Sequence, residues 1–459
     1  MTSKIEEVHD IVVLGGGSGG YACALRAAQL GLSVVLIERD RLGGTCLHRG
    51  CIPTKAMLHG AEIADAAASG AAIGIHAPLQ KIDMKELHAF KDGIVQRLYK
   101  GLSGLISGAG IKFVQGEGRV VAPNAVSVAG VVYSGRHLVI ATGATPRQLP
   151  GIDLTARVLD SDGALALTRI PRRVVVIGGS VIGVEFASMW RSLGSDVTVI
   201  EALPSLVPLE DPAIGRELER AFRRRGIGVR TGVSVGGVVE SATGALVYVA
   251  GGESVAADIV LVAVGRVPCA DQLGLDQFGI QLDRGAVVVD DRLHTSVPGV
   301  WAVGDVVPGL QLAHRGFAHG IFVAEEIAGL DPIHVVDREI PRVTYCDPEI
   351  ASVGVTEAEA REMYTDIEVH EFSLAGNGKS QILGTGGLVK IVRELDGPIV
   401  GIHMIGTRMG EQIGEATLVV GWEALPDDVA RFIHAHPTQN EALGEAALTL
   451  AGRPLHTHA

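Results

Sequence analysis

The sequence predicts an α/β chain in which two doubly wound parallel-sheet folds precede a separate C-terminal α+β region. Three observations carry this. Glycine fills 61 of 459 positions and aromatics are few (nine Phe, six Tyr, three Trp), so glycine serves tight turns and close backbone approaches inside a folded chain. One strand, glycine-turn, helix, strand pattern occurs twice, 163 positions apart. From about Ile340 the pattern changes to strands around a hairpin signal.

In the first copy, Asp10-Ile-Val-Val-Leu14 is a short branched run that reads as a buried strand. It enters Gly15-Gly16-Gly17-Ser18-Gly19-Gly20, continues as a helix to Leu30, stops at Gly31, and resumes as a strand from Ser33 to Ile37 that ends on Glu38. In the second copy Arg173 to Ile177 is the strand and Gly178-Gly179-Ser180-Val181-Ile182-Gly183 the turn. Leu193 ends that helix, Gly194 stops it and Glu201 is the acid. Gly15, Gly17 and Gly20 make a G-x-G-x-x-G fingerprint in its required context. Such glycines let backbone approach a pyrophosphate at a helix N-terminus, and the acid accepts from ribose hydroxyls. A single motif also serves plain packing; two in register, each with its acid, indicate two Rossmann-like dinucleotide-binding domains. Ser180 replaces the middle glycine, where its Cβ is expected to crowd a pyrophosphate slightly while its hydroxyl donates to a phosphate oxygen. Glu201 has no Arg or Lys nearby to hold a 2′-phosphate, so the second ligand is expected to be NAD rather than NADP.

After Glu38 come a loop and helix with two close cysteines, then an amphipathic helix from about Met84 to Leu105. His137 to Gly143, Asp258 to Gly265 and Val300 to Asp305 are strands running into glycine turns at a ligand edge; the last ends on an acid suited to a hydroxylated ligand. Leu388 to Arg393 and Ile399 to Ile405 flank Asp396-Gly397, a hairpin signal, and helices follow around Glu411 to Val420 and near the C-terminus.

With 39 basic against 52 acidic residues, the net charge of -13 disfavours nucleic acid as a partner, and Arg223-Arg224-Arg225 reads as a solvated helix end. The N-terminus shows no leader pattern and no apolar run nears the roughly 18 residues that span a bilayer, so a soluble, cytoplasmic protein without membrane insertion is expected.

Five cysteines do not make a disulfide framework. Cys46 and Cys51 read either as two packed thiols or as a redox pair; their place just past the first acid favours the second. With no second Cys/His pair at ligand spacing, no metal is expected, and His456-Thr-His458 is only a weak metal signal. Thiol chemistry near neutral pH calls for a base, and His434-Ala-His436-Pro437-Thr438-Gln-Asn-Glu441 supplies two histidines and an acid. Thr438-x-x-Glu441 fits equally a capping box opening the last helix.

With its two dinucleotide motifs, Gly-Gly-Thr-Cys46-x4-Cys51-Ile-Pro-Thr-Lys55 and His436-Pro-Thr-x-x-Glu441, the chain resembles the flavoprotein pyridine nucleotide-disulfide oxidoreductase family over essentially its whole length. The resemblance implies FAD on the first fold, contacted by Glu38, Lys55, Gly118, Thr142, Gly143, Asp305, Leu312, Ala313 and His314. It implies NAD on the second, contacted by Gly178, Gly183, Glu185, Glu201, Val233 and Gly265. The implied domains are 1–150 for FAD, 151–270 for NAD, 271–338 returning to the FAD fold, and 339–459 for an interface domain forming a homodimer. Lys55 and Glu185 are then a pair beside the flavin. Cys46 becomes the interchange thiol and Cys51 the thiolate against the flavin. His436 becomes the base serving the partner's cysteines, and Glu441 fixes its ring.

Ile340 to Glu349 and Leu312-Ala-His314 are most similar to members that oxidise protein-bound dihydrolipoamide with NAD+. Those members imply as partner a lipoyl domain or lipoyl-carrying subunit of a 2-oxoacid dehydrogenase or glycine cleavage system. The alternatives are an NAD(P)H-dependent reductase of a low-molecular-weight disulfide of glutathione or mycothiol type, or a redox-silent scaffold. His48-Arg49 stand where Asn-Val is commoner, and their positive charge is expected to depress a thiolate pKa. Cys269 replaces a usual Asn and is expected to pack, as are Cys23, Cys346 and His434.

Overall fold

The structure, a computed structural model, describes residues 5–456, so His458 of the histidine tail lies outside the described residues. In chain order the helices are α1 Ser18–Gln29, α2 Gly44–His48, α3 Cys51–Ser69, α4 Met84–Gly108, α5 Ser161–Leu165, α6 Val181–Ser192, α7 Pro212–Arg224, α8 Ala313–Ile327, α9 Glu357–Met363, α10 Gly378–Leu383, α11 Met409–Gly421, α12 Pro426–Ala430 and α13 Glu441–Leu450. Two compact units gather this chain. One holds the residues up to Met57 with Lys85–Arg147 and Arg266–Asp337; the other holds Leu58–Met84, Gln148–Gly265 and the residues from Arg338 onward.

The first unit is built on β1 (Ile5–Leu14), β2 (Val34–Glu38), β3 (Lys112–Gln115), β4 (Gly118–Ala122), β5 (Ala125–Val128) and β6 (Val131–Ile140), in the spatial order β3-β2-β1-β6-β5-β4. Pairing is parallel from β3 to β6, and Val300–Ala302 adds a further parallel strand on β6. Ile11, Val12 and Val13 are all buried, as a parallel strand covered on both faces requires. Helix α8 lies against α1 at a glycine seam. A Cβ on Gly320 would stand 2.2 Å from the Gly19 carbonyl oxygen, and Cβ on Gly316 would stand 3.2 Å from the Gly19 nitrogen. Larger side chains there would push the helices apart.

The second unit contains a parallel sheet in the order Gly228–Arg230, Asp196–Ile200, Arg173–Ile177, Ile259–Val262, Val158–Leu159. Its C-terminal portion is an antiparallel sheet in the order Arg342–Thr344, Glu349–Gly354, Ile399–Gly406, Leu388–Glu394, Ile367–Ser373. Phe372, Ile391 and Met404 on that sheet pack with Ile413 and Ala416 of α11 and Leu443 and Ala446 of α13, covering one face. The hairpin turn runs through Asp396, at φ 58°.

Polar contacts tie the parallel-sheet portion of this unit to its C-terminal portion. Lys390 Nζ, 3% exposed, donates to Asp211 Oδ1 at 2.9 Å, and Asp211 is fully buried. Arg225 was expected on a solvated helix end with Arg223 and Arg224. Those two do pair with Glu219 and Glu217 of their own helix. Arg225 does not; its guanidinium donates to Asp65 Oδ2, Ser188 Oγ, Ser192 Oγ and the Asp347 carbonyl. The expectation failed there because those acceptors come from distant segments.

Candidate active site

The two glycine turns repeat in three dimensions. Gly15 has φ +109° and Gly178 φ +106°, and a Cβ on either would fall 2.2 or 2.3 Å from a carbonyl oxygen, of Ala141 or Ala263. Cβ atoms on Gly20 and Gly183 would meet the Gly15 and Gly178 oxygens at 1.8 and 1.9 Å. The acids behave alike too. Gly16 N–H donates to Glu38 Oε2 at 2.7 Å and Asp40 N–H to Oε1 at 2.8 Å. Gly179 N–H donates to Glu201 Oε2 at 2.6 Å and Leu203 N–H to Oε1 at 2.8 Å. Each carboxylate is thus fixed at the strand end, with lone pairs left for a ribose hydroxyl.

The middle position differs. Gly17 and Ser180 are the N-caps of α1 and α6, with φ of -74° and -85°; Gly17 has no side chain to cap with, and Ser180 makes no capping hydrogen bond. A Cβ on Gly17 would find only the Gly44 Cα, at 4.0 Å. Both helices therefore present uncapped N–H groups, the partial positive charge that suits a pyrophosphate. Gly143 and Gly265, at φ +70° and +98°, have nothing within 4 Å of their Cβ positions, which leaves backbone open beside each turn. This arrangement fits two dinucleotides.

Around the first turn, Thr142 Oγ1 donates to the Cys269 carbonyl at 2.9 Å, and Cys269 N–H donates to the Gly143 carbonyl at 2.9 Å. Burial raises the Asp305 carboxyl above its ordinary value, against the pull of Arg266 and Arg315. Leu312 is the N-cap of α8, followed by half-buried Ala313 and exposed His314. Gly118 is buried where a Cβ would lie 2.5 Å from Leu14 Cδ1, so packing alone requires a glycine there. Around the second turn, Val233 N–H donates to the Glu201 carbonyl at 3.0 Å. Glu185 is buried on α6 and its Oε1 accepts from Tyr345 N–H at 2.9 Å.

Cys46 lies within α2 and Cys51 is the first residue of α3, and no disulfide joins them. The Cys46 thiol is pushed well above its ordinary value, first by its hydrogen bond to Cys51, then by burial; Lys55 pulls the other way. The two sulfurs are thus hydrogen-bonded to each other, with Cys51 at a helix N-terminus, where the dipole favours a thiolate. Arg49 pairs with Asp40, while His48 Nε2 bonds to the Leu42 carbonyl at 2.8 Å and its ring packs edge-on against Tyr99. Lys55, one turn into α3, is the cation acting on Cys46.

His436 is 76% exposed, and its Nδ1 bonds to Glu441 Oε1 at 2.8 Å. The capping box on Thr438 is not formed, because α13 begins at Glu441 itself. Glu441 Oε2 instead accepts from Thr438 N–H at 2.7 Å, so one carboxylate holds both the ring and its loop. The sequence reading missed Asn377, whose Nδ2 donates to the Thr438 carbonyl at 2.9 Å, and Glu415, which bonds to His434. Both come from distant elements, so no local spacing signals them. Phe432 and Ile433 stand exposed beside this loop, Ile433 at 98%. Among the described residues no cluster of metal-ligating side chains occurs, and no helix is long and apolar enough to cross a membrane.

Over residues 9–320 the chain matches the family model for pyridine nucleotide-disulphide oxidoreductases, and over residues 340–447 the model for their dimerisation domain. It is 39% identical to a mitochondrial dihydrolipoyl dehydrogenase of Pisum sativum, over 98% of this chain and 92% of the pea protein. A dihydrolipoyl dehydrogenase of Thermus scotoductus is 38% identical over 98% of this chain and 99% of its own length. Among solved structures, LpdA of Mycobacterium tuberculosis superposes with a TM-score of 0.89 at 26% identity, across 96% of this chain and 100% of that one.

Proposed function

The chain belongs to the pyridine nucleotide-disulphide oxidoreductases, and on that premise we propose that it oxidises protein-bound dihydrolipoamide to lipoamide while reducing NAD+ to NADH. It is an oxidoreductase with FAD and NAD as cofactors, and its dimerisation domain makes it a homodimer. The observation that carries the proposal is the Cys46–Cys51 pair, two thiols hydrogen-bonded to each other with Cys51 at the N-terminus of α3. The full-length relatives named dihydrolipoyl dehydrogenase, and a Glu201 without a cation for a 2′-phosphate, favour this reading over reduction of a small disulfide with NADPH.

In the oxidised enzyme the substrate's first thiolate attacks Sγ of Cys46; the Cys46–Cys51 bond breaks and Cys51 leaves as a thiolate. That first proton goes to solvent. His436 of a second copy takes the proton from the substrate's other thiol, held in orientation by Glu441. This second thiolate attacks the substrate sulfur joined to Cys46, closes the lipoamide ring and expels Cys46, which receives the proton from His436. Two thiols have become a disulfide and the enzyme disulfide a thiol and a thiolate. Bound FAD supplies the two-electron acceptor for that dithiol, and NAD+ the hydride acceptor.

On this reading Glu38, Lys55, Thr142, Gly143, Asp305 and the start of α8 hold FAD, and Glu185, Glu201, Val233 and Gly265 hold NAD. The partner is a lipoyl domain or lipoyl-carrying subunit of a 2-oxoacid dehydrogenase or glycine cleavage assembly. The location is cytoplasmic, where thiols that cycle at each turnover are kept reducible. The test compares the purified enzyme on dihydrolipoamide plus NAD+ with glutathione- and mycothiol-type disulfides plus NADPH. Turnover in the first assay, abolished by Cys46→Ser, is expected; turnover only in the second would sink the proposal.

A further inference from the structure

The segment carrying His436 is an irregular run between α12 and α13, and from Arg431 to Pro437 its residues are exposed with one exception. The exception is His434, whose side chain is 11% exposed. Its Nε2 bonds to Glu415 Oε1 of α11 at 2.9 Å. Its ring packs against α13 at Gly444, where an added Cβ would stand 2.6 Å from His434 Nδ1 and force the ring to move. The second oxygen of Glu415 accepts from Asn440 Nδ2. One carboxylate on a packed helix therefore pins both ends of the short run that presents His436.

The charged groups facing His434 are Glu415 from α11 and Glu441 from α13, and Glu441 is the partner of His436. His434 titrates above its ordinary value, chiefly through its hydrogen bond to Glu415, with burial opposing. Glu441 titrates below its ordinary value: burial opposes, but the Thr438 N–H, the His436 ring and the nearby His434 outweigh it, so a charge on His434 reaches the carboxylate that holds His436. A free loop would let that exposed ring wander, and a misplacement of about 1 Å in a proton-transfer group can cost two orders of magnitude.

Resting on the dithiol chemistry above, we propose that His434 and Glu415 form a second histidine–carboxylate pair, a positioning device. It holds the His436–Glu441 pair in place and sets the charge against which His436 accepts its proton. His434 touches neither substrate nor cofactor in this role.

The experiment uses the FAD-loaded homodimer with His434→Ala, His434→Gln and Glu415→Gln. Three quantities are measured: amide hydrogen exchange across residues 434–440, the pH profile of kcat on dihydrolipoamide, and reduction of an artificial dye by NADH. His434→Ala is expected to speed exchange in that segment and lower kcat about 10- to 30-fold. Dye reduction, which needs no thiol base, should not change. His434→Gln keeps an amide donor toward Glu415 and should restore kcat to within about threefold. Lacking the charge, it should still move the acidic limb of the profile to higher pH, which a purely structural role would not do. Unchanged exchange in His434→Ala, an unmoved limb in His434→Gln, or an equal loss of dye reduction would overturn the proposal. If wild-type enzyme fails to oxidise dihydrolipoamide, the functional reading falls, and the exchange data alone still decide whether His434 anchors the segment.

Discussion

The first and second nucleotide turns share a backbone but not what lies against their helices. Gly15 and Gly178 sit at positive φ, and Gly20 and Gly183 press on the same carbonyl of their own turn. These glycines answer to the protein's own atoms. The middle position answers to nothing in the chain: Gly17 has ordinary φ and an open side, and Ser180 takes the same place without strain. The helices then diverge. Where α1 has Gly19 and Ala22, set against the glycine seam of α8, α6 has Ile182 and Glu185. On α6, Glu185 and Ser188 accept hydrogen bonds from the backbone of Tyr345 and Asp347. The turn is set by its own backbone contacts, and the helix face by its neighbour.

The largest expected break in this comparison lies on the second fold, which is tied by ion pairs to the antiparallel sheet. Lys390→Met should cost roughly 3–5 kcal/mol, read as a fall in melting temperature, because Asp211 is left buried and unpaired. Burial pushes the Asp211 carboxyl up, but Lys390 and the N–H groups of Glu357 and Ala213 more than offset it, leaving its pKa below the ordinary value. Because the folded value is depressed, this stabilisation is present above the unfolded carboxyl value of about 3.9 and is lost as pH falls through the folded one. Acid melts of wild type should therefore show a loss that Lys390→Met lacks.

Next come the glycines common to both turns. Gly20→Ala and Gly183→Ala each force a Cβ onto a carbonyl, at about 1–3 kcal/mol. They should separate cleanly. Gly20→Ala weakens flavin retention, read by absorbance after gel filtration. Gly183→Ala keeps flavin and raises KM for NADH by about tenfold or more. Gly320→Ala should destabilise the first unit on the same scale through α1, with no effect on that KM. Smallest is Ser180→Gly, expected to change stability by a few tenths of a kcal/mol and KM for NADH by less than about threefold, because the serine caps nothing. A large effect there would mean that the hydroxyl holds the nucleotide.

Much of this was legible in the sequence because it is local. The strand Arg173–Ile177, the stops at Gly31 and Gly194 and the hairpin at Asp396-Gly397 follow from short-range pattern and the left-handed backbone that glycine favours. The thiol pair and the His436–Glu441 contact were legible from spacing and resemblance together. What stayed hidden is long-range. Arg225 reads as solvated until Asp65 and Asp347 fold onto it. Nothing in the strand Leu388 to Arg393 signals that Lys390 meets Asp211, far away in the sequence. Thr438-x-x-Glu441 has the letters of a capping box, and only the start of α13 shows that Glu441 serves His436 instead.

The central claim is that the dithiol of one copy and the His436–Glu441 pair of another make one site. The most direct test mixes Cys46→Ser and His436→Gln subunits, unfolded and refolded together with FAD, and measures dihydrolipoamide oxidation. Each parent should be nearly inactive. A shared site predicts recovery to about a quarter of wild-type turnover, since half of randomly paired dimers are mixed and each of those has one complete site of two. A mixture as inactive as its parents would contradict it.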